Sequence, residues 1–442
     1  MGRRYNLLLF AFLVSTLGNW IYRLTLPLLV LHLTGSALST ATIYAIEYIP
    51  FLLLSLPGGV FADRFDRRRL LVTGDLAAGA IAIVLAALVV ADVSALPVLY
   101  LVAFLLACVE PIYHPAFYSW LPELVDPADA GRANARMQTG GNIVTMAGPV
   151  AAGAIVTLFS FEAAFVIDAA TFVVSALTIM LIRGAPRTSD EPVASPIRTR
   201  GRMRADIAEA RRHVFVENRM LLAGSLLFTG TNLSIWLIQA NLVYYLSEYR
   251  HFEPDVIGAI LAAQSGGAVI GAAMASRMLA RFAPGQMILG CTAAAGLVTL
   301  ALVPLRDPVS IAAVLGLVYV FGAMNVVSWF TFRQGIVPVH LLGRVIAVTR
   351  LLAFASIPAA ALIAGALEGW LHDMYVIIAI GGLLRLAVAL AGARSPLRRA
   401  ASHEAPQPGR PADESMRAEE PEIREPLRRA GTAASSAAQR SR

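Results

Sequence analysis

The sequence predicts an all-α integral membrane protein of twelve transmembrane helices in two parallel six-helix pseudo-repeats, and three observations predict it. Hydrophobic residues make up 57% of the 442 and charged residues only 15%, with a mean hydropathy of +0.67, far too apolar for a soluble chain of this length. Apolar runs of roughly 20 residues, enough to cross a bilayer as a helix, recur along the chain. Landmarks in the first half return in the second at a near-constant offset.

The first run, 6 to 32, follows Arg3 and Arg4 as a signal-peptide core would. Apolar character resumes after Arg23 and no small-residue cleavage site follows, so it reads as an uncleaved span. Runs at 40 to 61 and 70 to 91 flank GGVFADRFDRRRLL, Gly58 to Leu71, a turn too short for a domain that holds Asp63, Arg64, Asp66, Arg67, Arg68 and Arg69. Runs at 96 to 118, 137 to 158 and 161 to 183 complete the first half, residues 1–183. The linker, 184–218, carries Pro186, Pro192 and Pro196 and reads as flexible in its first part. Its second part, MRADIAEARRHVFVE, sets Ile207, Ala210, Val214 and Phe215 near helical spacing, as an amphipathic helix along the membrane surface would. Runs at 219 to 247, 256 to 282, 285 to 304, 308 to 332, 343 to 368 and 373 to 394 form the second half, 219–394. The tail, 395–442, is rich in Pro, Arg, Glu, Ala and Ser and reads as a disordered cytoplasmic tail.

The turns on one side of this arrangement hold only Arg250 and Arg306, whereas those on the other hold Arg64, Arg67, Arg68, Arg69, Arg132, Arg136, Arg277, Arg281, Arg333 and Arg344. Positive residues mark cytoplasmic loops. A multi-pass protein of the cytoplasmic (plasma) membrane with both termini cytoplasmic is therefore expected. The landmarks Gly59 and Gly271, Gly131 and Gly343, and Gly153 and Gly365 are separated by 271−59, 343−131 and 365−153, each 212; Asn19 and Asn232 by 232−19, or 213. One spacing for four landmarks implies two parallel halves.

Composition also excludes function classes. All 36 Lys+Arg residues are arginine, so neither a Walker A phosphate loop nor lysine Schiff-base chemistry is available. The net charge of +7 sits in loops and tails where topology accounts for it, so no nucleic-acid partner is expected. Cys108 and Cys291 both fall in apolar runs, which supports neither a disulfide nor a metal site. No nucleophile motif or ligand cluster stands out: the chain is not read as an enzyme, and no cofactor is called for.

The run Gly59 to Arg68, GVFADRFDRR, resembles the loop motif between the second and third helices of the major facilitator superfamily, with Asp66 where many members have glycine. DRFDRRRLL, GNWIYRLTLPLLV in helix one and AFYSWLPELV at the exit of helix four resemble the branch of enterobactin exporters and macrolide efflux proteins. The likeness covers roughly residues 5 to 394. It implies that Gly59, Asp63, Arg64, Arg67 and Arg68 latch the cytoplasmic side in the outward-open state, with Asp63 near the start of helix eleven at Gly343 and Glu123 or Asp126 as partners of the arginines. Gly148, Pro149 and Gly153 resemble the core of the antiporter motif of drug and proton exporters, with Ala152 replacing one glycine. Pro149 removes a helical hydrogen bond and its small neighbours permit close packing; a structural kink is the alternative. The helix-four arginine of many drug antiporters has no match between Ala103 and Pro115.

An ionised side chain near the bilayer centre costs about 2.5 to 3.5 kcal/mol on insertion scales and so faces protein or a water-filled cavity. Arg23, Glu47, Glu110, Asp168, Arg350 and Arg385 are such residues. Burial favours the neutral form of a carboxylate and an approaching arginine the charged form, so protonation can be tied to conformation. Glu110 is the first candidate for proton coupling, Glu47 the second and Asp168 the third, with Arg23 as counter-charge and His114 beside Glu110; fixed ion pairs holding helices together are the alternative. Ser225, Thr229, Asn232, Trp236 and Gln239 form a polar stripe on helix seven. With Asn19, Arg23 and Trp329 it is expected to line an amphipathic pocket.

These readings converge on a proton-coupled secondary exporter of a hydrophobic or amphipathic small molecule, working by alternating access. Its expected partners are the small-molecule substrate, protons and the lipid bilayer, and it is expected to be a monomer. The alternatives are an uptake or lipid-handling facilitator of the same fold, and a non-transporting membrane receptor or scaffold.

Overall fold

The computed structural model describes residues 2–93, 95–182 and 208–397, without the side chains of 55–64 and 339–340. Expectations for the linker's first part, for the tail beyond 397, and for the side chains of Gly59, Asp63 and Arg64 lie outside the described residues. Within them every regular element is helical. The first half comprises α1 (Arg3–Thr34), α2 (Ala37–Arg64), α3 (Arg67–Val90), α4 (Leu96–Ala107), α5 (Glu110–Trp120), α6 (Ala130–Leu158) and α7 (Phe161–Met180). The second comprises α8 (Arg219–Gln239), α9 (Pro254–Leu279), α10 (Pro284–Leu300), α11 (Pro308–Ile336), α12 (Val339–Leu371) and α13 (Met374–Ala393). Among the described residues, eleven spans are long and apolar enough to cross a membrane, and α10, at 17 residues, is a shorter apolar helix.

Local chemistry sets the helix ends. Gly35 ends α1 at φ 59°, a left-handed turn that glycine adopts without strain, and its N–H donates to the Leu31 carbonyl at 2.7 Å. Asp66 caps α3 by accepting from the Arg69 N–H at 2.8 Å, and Asp307 and Asp373 cap α11 and α13 in the same way. The fourth span, expected as one helix, is broken at Cys108–Val109 between α4 and α5. Pro111 lacks the N–H that would bond the Ala107 carbonyl, and Pro115 repeats the loss one turn on. The break begins α5 at Glu110.

The two ends of the bundle are built differently. At the end bearing Gly35, one apolar core draws on both halves: Leu24, Leu28 and Ala152 from the first meet Leu242, Ile257 and Ile311 from the second. Glycines allow this approach. A Cβ at Gly153 would overlap the Pro254 backbone, one at Gly258 the Pro149 carbonyl, and one at Gly365 the backbone of Leu38. The Asp255 N–H also donates to Thr157 Oγ1 at 3.1 Å. At the opposite end, bearing Arg67, the apolar clusters each belong to one half: Tyr5, Leu71 and Phe117 in one, Leu221, Trp329 and Val345 in the other. Ala210 and Val214 of the linker are buried in the second of these, and Glu209 pairs with Arg344 at 2.8 Å. Of the stripe expected to face the membrane surface, Ala210 and Val214 are docked on protein, Phe215 is exposed, and Ile207 lies outside the described residues.

Candidate functional site: a charged aromatic cavity between the halves

A cavity of about 730 Å³ lies between the halves, sealed on the Gly35 side by the shared core. Its wall is aromatic where the halves meet. Tyr48 and Tyr44 of α2 face Trp236 of α8 with ring centroids 5.1 and 6.0 Å apart. Phe51 and Phe354 are 5.2 Å apart, with the Arg350 guanidinium over both at 4.8 and 5.0 Å. Rings offer an amphipathic guest large apolar faces and a few polar edges.

Opposite this wall stand the charges. Arg23 Nη2 lies 3.1 Å from each carboxylate oxygen of Glu110, and His114 Nε2 lies 3.3 Å from Glu110 Oε1. Arg23 and Glu110 remain about half exposed, at 44% and 49% of their side chains, so the pair faces the cavity rather than the protein core. The break before Glu110 puts this carboxylate at the first turn of α5, and His114 follows one turn later on the same face. Glu47 also borders the cavity; it lies beside the Tyr22 hydroxyl and, unlike Glu110, makes no ion pair among the described residues. Two carboxylates therefore flank one arginine: one paired, one not.

The other expected residues divide. Asn19, Arg23, Trp236 and Gln239 line the cavity. Gln239 bonds Gln264 of α9 at 3.3 Å, and the Asn19 amide donates to the Ser15 carbonyl at 3.1 Å. Trp329, expected in the pocket, is instead core: it is 1% exposed and fills the space left by Gly224, where a Cβ would overlap its ring. Asn232 and Ser225 bond carbonyls one turn back in their own helix, Phe228 and Leu221, and border no part of the cavity. Asp168 is fully buried behind α1 and faces Gly18, with both oxygens unpartnered. Gly148 gives room to Trp20, while Pro149 and Gly153 meet α9 of the other half. Arg67 pairs with Glu123 and bonds the Ser119 carbonyl, and Arg68 reaches the Ile179 and Met180 carbonyls at the end of α7, a favourable site for a cation. All these contacts lie within the first half.

Sequence reasoning missed Asp75, which is 2% exposed and accepts from Ser175 Oγ at 2.6 Å, with the Tyr113 hydroxyl 3.5 Å away. It lies two turns into α3, within the run 70 to 91, and was not counted among the charges inside the spans. The tyrosines of the wall were also missed, because aromatic residues in apolar runs carry no signal of which face they occupy.

Comparison with known proteins agrees with this architecture. The Major Facilitator Superfamily profile matches residues 8–361. Multidrug efflux pump Tap of Mycobacterium tuberculosis is 28% identical over 390 residues, 85% of this chain and 90% of that protein, and its namesake of Mycolicibacterium fortuitum is 28% identical over 398 residues, 87% and 94%. Macrolide efflux protein A of Streptococcus pyogenes is 24% identical over 179 residues, 40% of this chain and 44% of its own. Among solved structures, the nucleoside transporter NupG superposes with a TM-score of 0.69 at 16% identity, covering 88% of this chain and 99% of that one. A bacterial homologue of the iron transporter ferroportin in an inward-facing state gives 0.68 at 15% identity, covering 88% and 98%; at such identities the likeness concerns the fold alone. With the family profile spanning most of the chain, this chain belongs to the major facilitator superfamily.

Proposed function

We propose that this protein is a proton-driven exporter of amphipathic small molecules that works as a monomer by alternating access in the plasma membrane. The observation that carries the reading is the cavity itself: aromatic walls contributed by both halves, and one arginine set between a paired and an unpaired carboxylate. The relatives named as multidrug and macrolide efflux proteins support an amphipathic substrate.

The chemistry follows from the pair. While Arg23 holds Glu110, opposite charge stabilises the ionised carboxylate. A proton delivered to Glu110 removes that attraction and frees Arg23 toward Glu47, the other acid whose field it feels. His114 is positioned to pass the proton, being in contact with Glu110 and about half exposed. A substrate that carries positive charge competes for the same carboxylates, so proton and substrate exclude each other, which is what antiport requires. With arginine-rich turns on the cytoplasmic side, the sealed Gly35 end faces outward, and this conformation is the inward-facing state.

The test is transport in reconstituted vesicles with an imposed pH gradient, using a panel of dyes and macrolides, with Glu110→Gln and Glu47→Gln beside the wild type. Gradient-driven accumulation in the wild type that fails in Glu110→Gln supports the reading. If no compound moves, or if both variants keep gradient-driven accumulation, the mechanism is wrong. Movement down a substrate gradient with no pH dependence would instead favour a facilitator.

A further inference from the structure

Beside the large cavity lies a second one of about 20 Å³, bordered by α8, α10, α11 and α13 of the second half. Arg385 of α13 projects into it. This arginine is 2% exposed, and its Nε and Nη2 are buried without a hydrogen-bond partner. The groups that influence it are Tyr319 and Cys291, not a carboxylate, and among the described residues no acidic one lines the chamber. The hydroxyls of the lining, Thr299 and Ser234, donate to the Ala295 and Thr231 carbonyls, and neither oxygen bonds Arg385 Nε or Nη2. The Tyr319 hydroxyl has no partner among the described residues and remains free to donate.

A buried guanidinium without a counter-charge is among the most unfavourable things a protein can hold in a bilayer. A water molecule would satisfy its N–H groups and leave the charge in place. A small anion would satisfy both. The chamber, about 20 Å³, has room for one small guest, which disfavours carboxylic acids and oxyanions of any bulk against a monatomic ion. Gln239 and Tyr319 border both this chamber and the large cavity, so an ion can reach Arg385 from the cavity by passing those side chains.

We propose that Arg385 and Tyr319 form a binding site for one small monovalent anion, chloride under physiological conditions, buried behind the transport cavity. The ion neutralises the second half's buried cation and braces α13 against α8 and α11. This inference is independent of the direction or driving force of transport.

The test uses the purified full chain in detergent, exchanged into gluconate, with chloride, bromide or sulfate then titrated at constant ionic strength. Chloride and bromide are expected to raise Tm in a saturable way by about 3 °C or more, as a site-bound ligand in excess does, and sulfate to give no such rise. Arg385→Met should abolish the response, and Tyr319→Phe should shift its midpoint several-fold toward higher chloride. Crystals grown in bromide should show one anomalous peak within hydrogen-bond reach of Arg385, a readout that survives if Arg385→Met does not fold. An equal rise in sulfate, an unchanged response in Arg385→Met, or a bromide-grown crystal with water alone in the chamber would each overturn the proposal.

Discussion

Helices α7 and α13 hold matching places in the two halves, each packed behind the first helix of its half, and each hides one charge of opposite sign. Asp168 of α7 lies against Gly18 of α1; Arg385 of α13 lies beside Ser234 and Ile238 of α8. Neither has an ionic partner among the described residues. The contrast extends to the halves. The first buries or pairs its acids, Glu47, Asp75, Glu110 and Asp168, whereas the second places Arg333, Arg350 and Arg385 in its spans, with Glu368 held near the Gly35 end by Tyr244 at 2.9 Å. A repeated scaffold therefore carries unlike chemistry: these four acids with Arg23 as the cation among them in the spans of the first half, and a majority of cations in those of the second.

Substitutions can break or sharpen that contrast. The largest effect is expected from Glu110→Gln, which should lower gradient-driven accumulation in vesicles by about tenfold or more, the scale of a typical coupling between sites. Gln239→Ala, on the second half's side of the same cavity, should instead raise the apparent KM and leave the dependence on the pH gradient intact. A variant of the second half that abolished coupling as fully as Glu110→Gln would dissolve the division of labour.

Next comes the seam where the halves share a core. Gly365→Val would force α12 away from Leu38. In a chain lacking Cys108 and Cys291, Ile257→Cys is buried in that core, and it should react with an impermeant maleimide several-fold faster when Gly365→Val is also present. Unchanged labelling would mean that the seam is not what closes this end.

A smaller difference is expected between Gly18→Ala and Gly381→Ala. The first inserts a methyl against Thr171 and Asp168 and should destabilise by about 1–3 kcal/mol, as overpacking does. The second meets chiefly the flexible end of Ile238 and should lower Tm less. Equal losses would show that the polar contact behind α1 is no tighter than the apolar one behind α8. Smallest of all are the surface pairs, Arg67 with Glu123 and Arg344 with Glu209. Glu123→Ala and Glu209→Ala should each change stability by less than about 1 kcal/mol in a denaturation curve, because both acids are half exposed to solvent.

Much of the architecture was legible in the sequence because hydropathy is a local property. Apolar runs gave the spans, and the recurring glycines gave the two halves. Helix four was read as continuous because its apolar length outweighed the Pro111 and Pro115 signals, yet that break sets Glu110 at the start of its own helix. The candidate site was legible in part. Arg23, Glu47 and Glu110 declared themselves as charges in apolar runs, and His114 by its four-residue offset. Trp329 and Asp168 did not sort themselves, because a side chain facing a cavity and one facing a core look alike along the chain; the missing side chains of Gly224 and Gly18, on other helices, opened the spaces they fill.

The sequence by itself determined which segments enter the bilayer, which turns carry the arginines, and that ionisable groups lie within the spans, since each depends on residues near in the chain. Only the tertiary structure decided that Arg23 meets Glu110, that Glu47 and Arg385 are left without ion pairs among the described residues, and that the halves join at the Gly35 end. Those outcomes depend on how each helix is rotated about its axis, and that rotation is fixed by packing against helices far away in sequence.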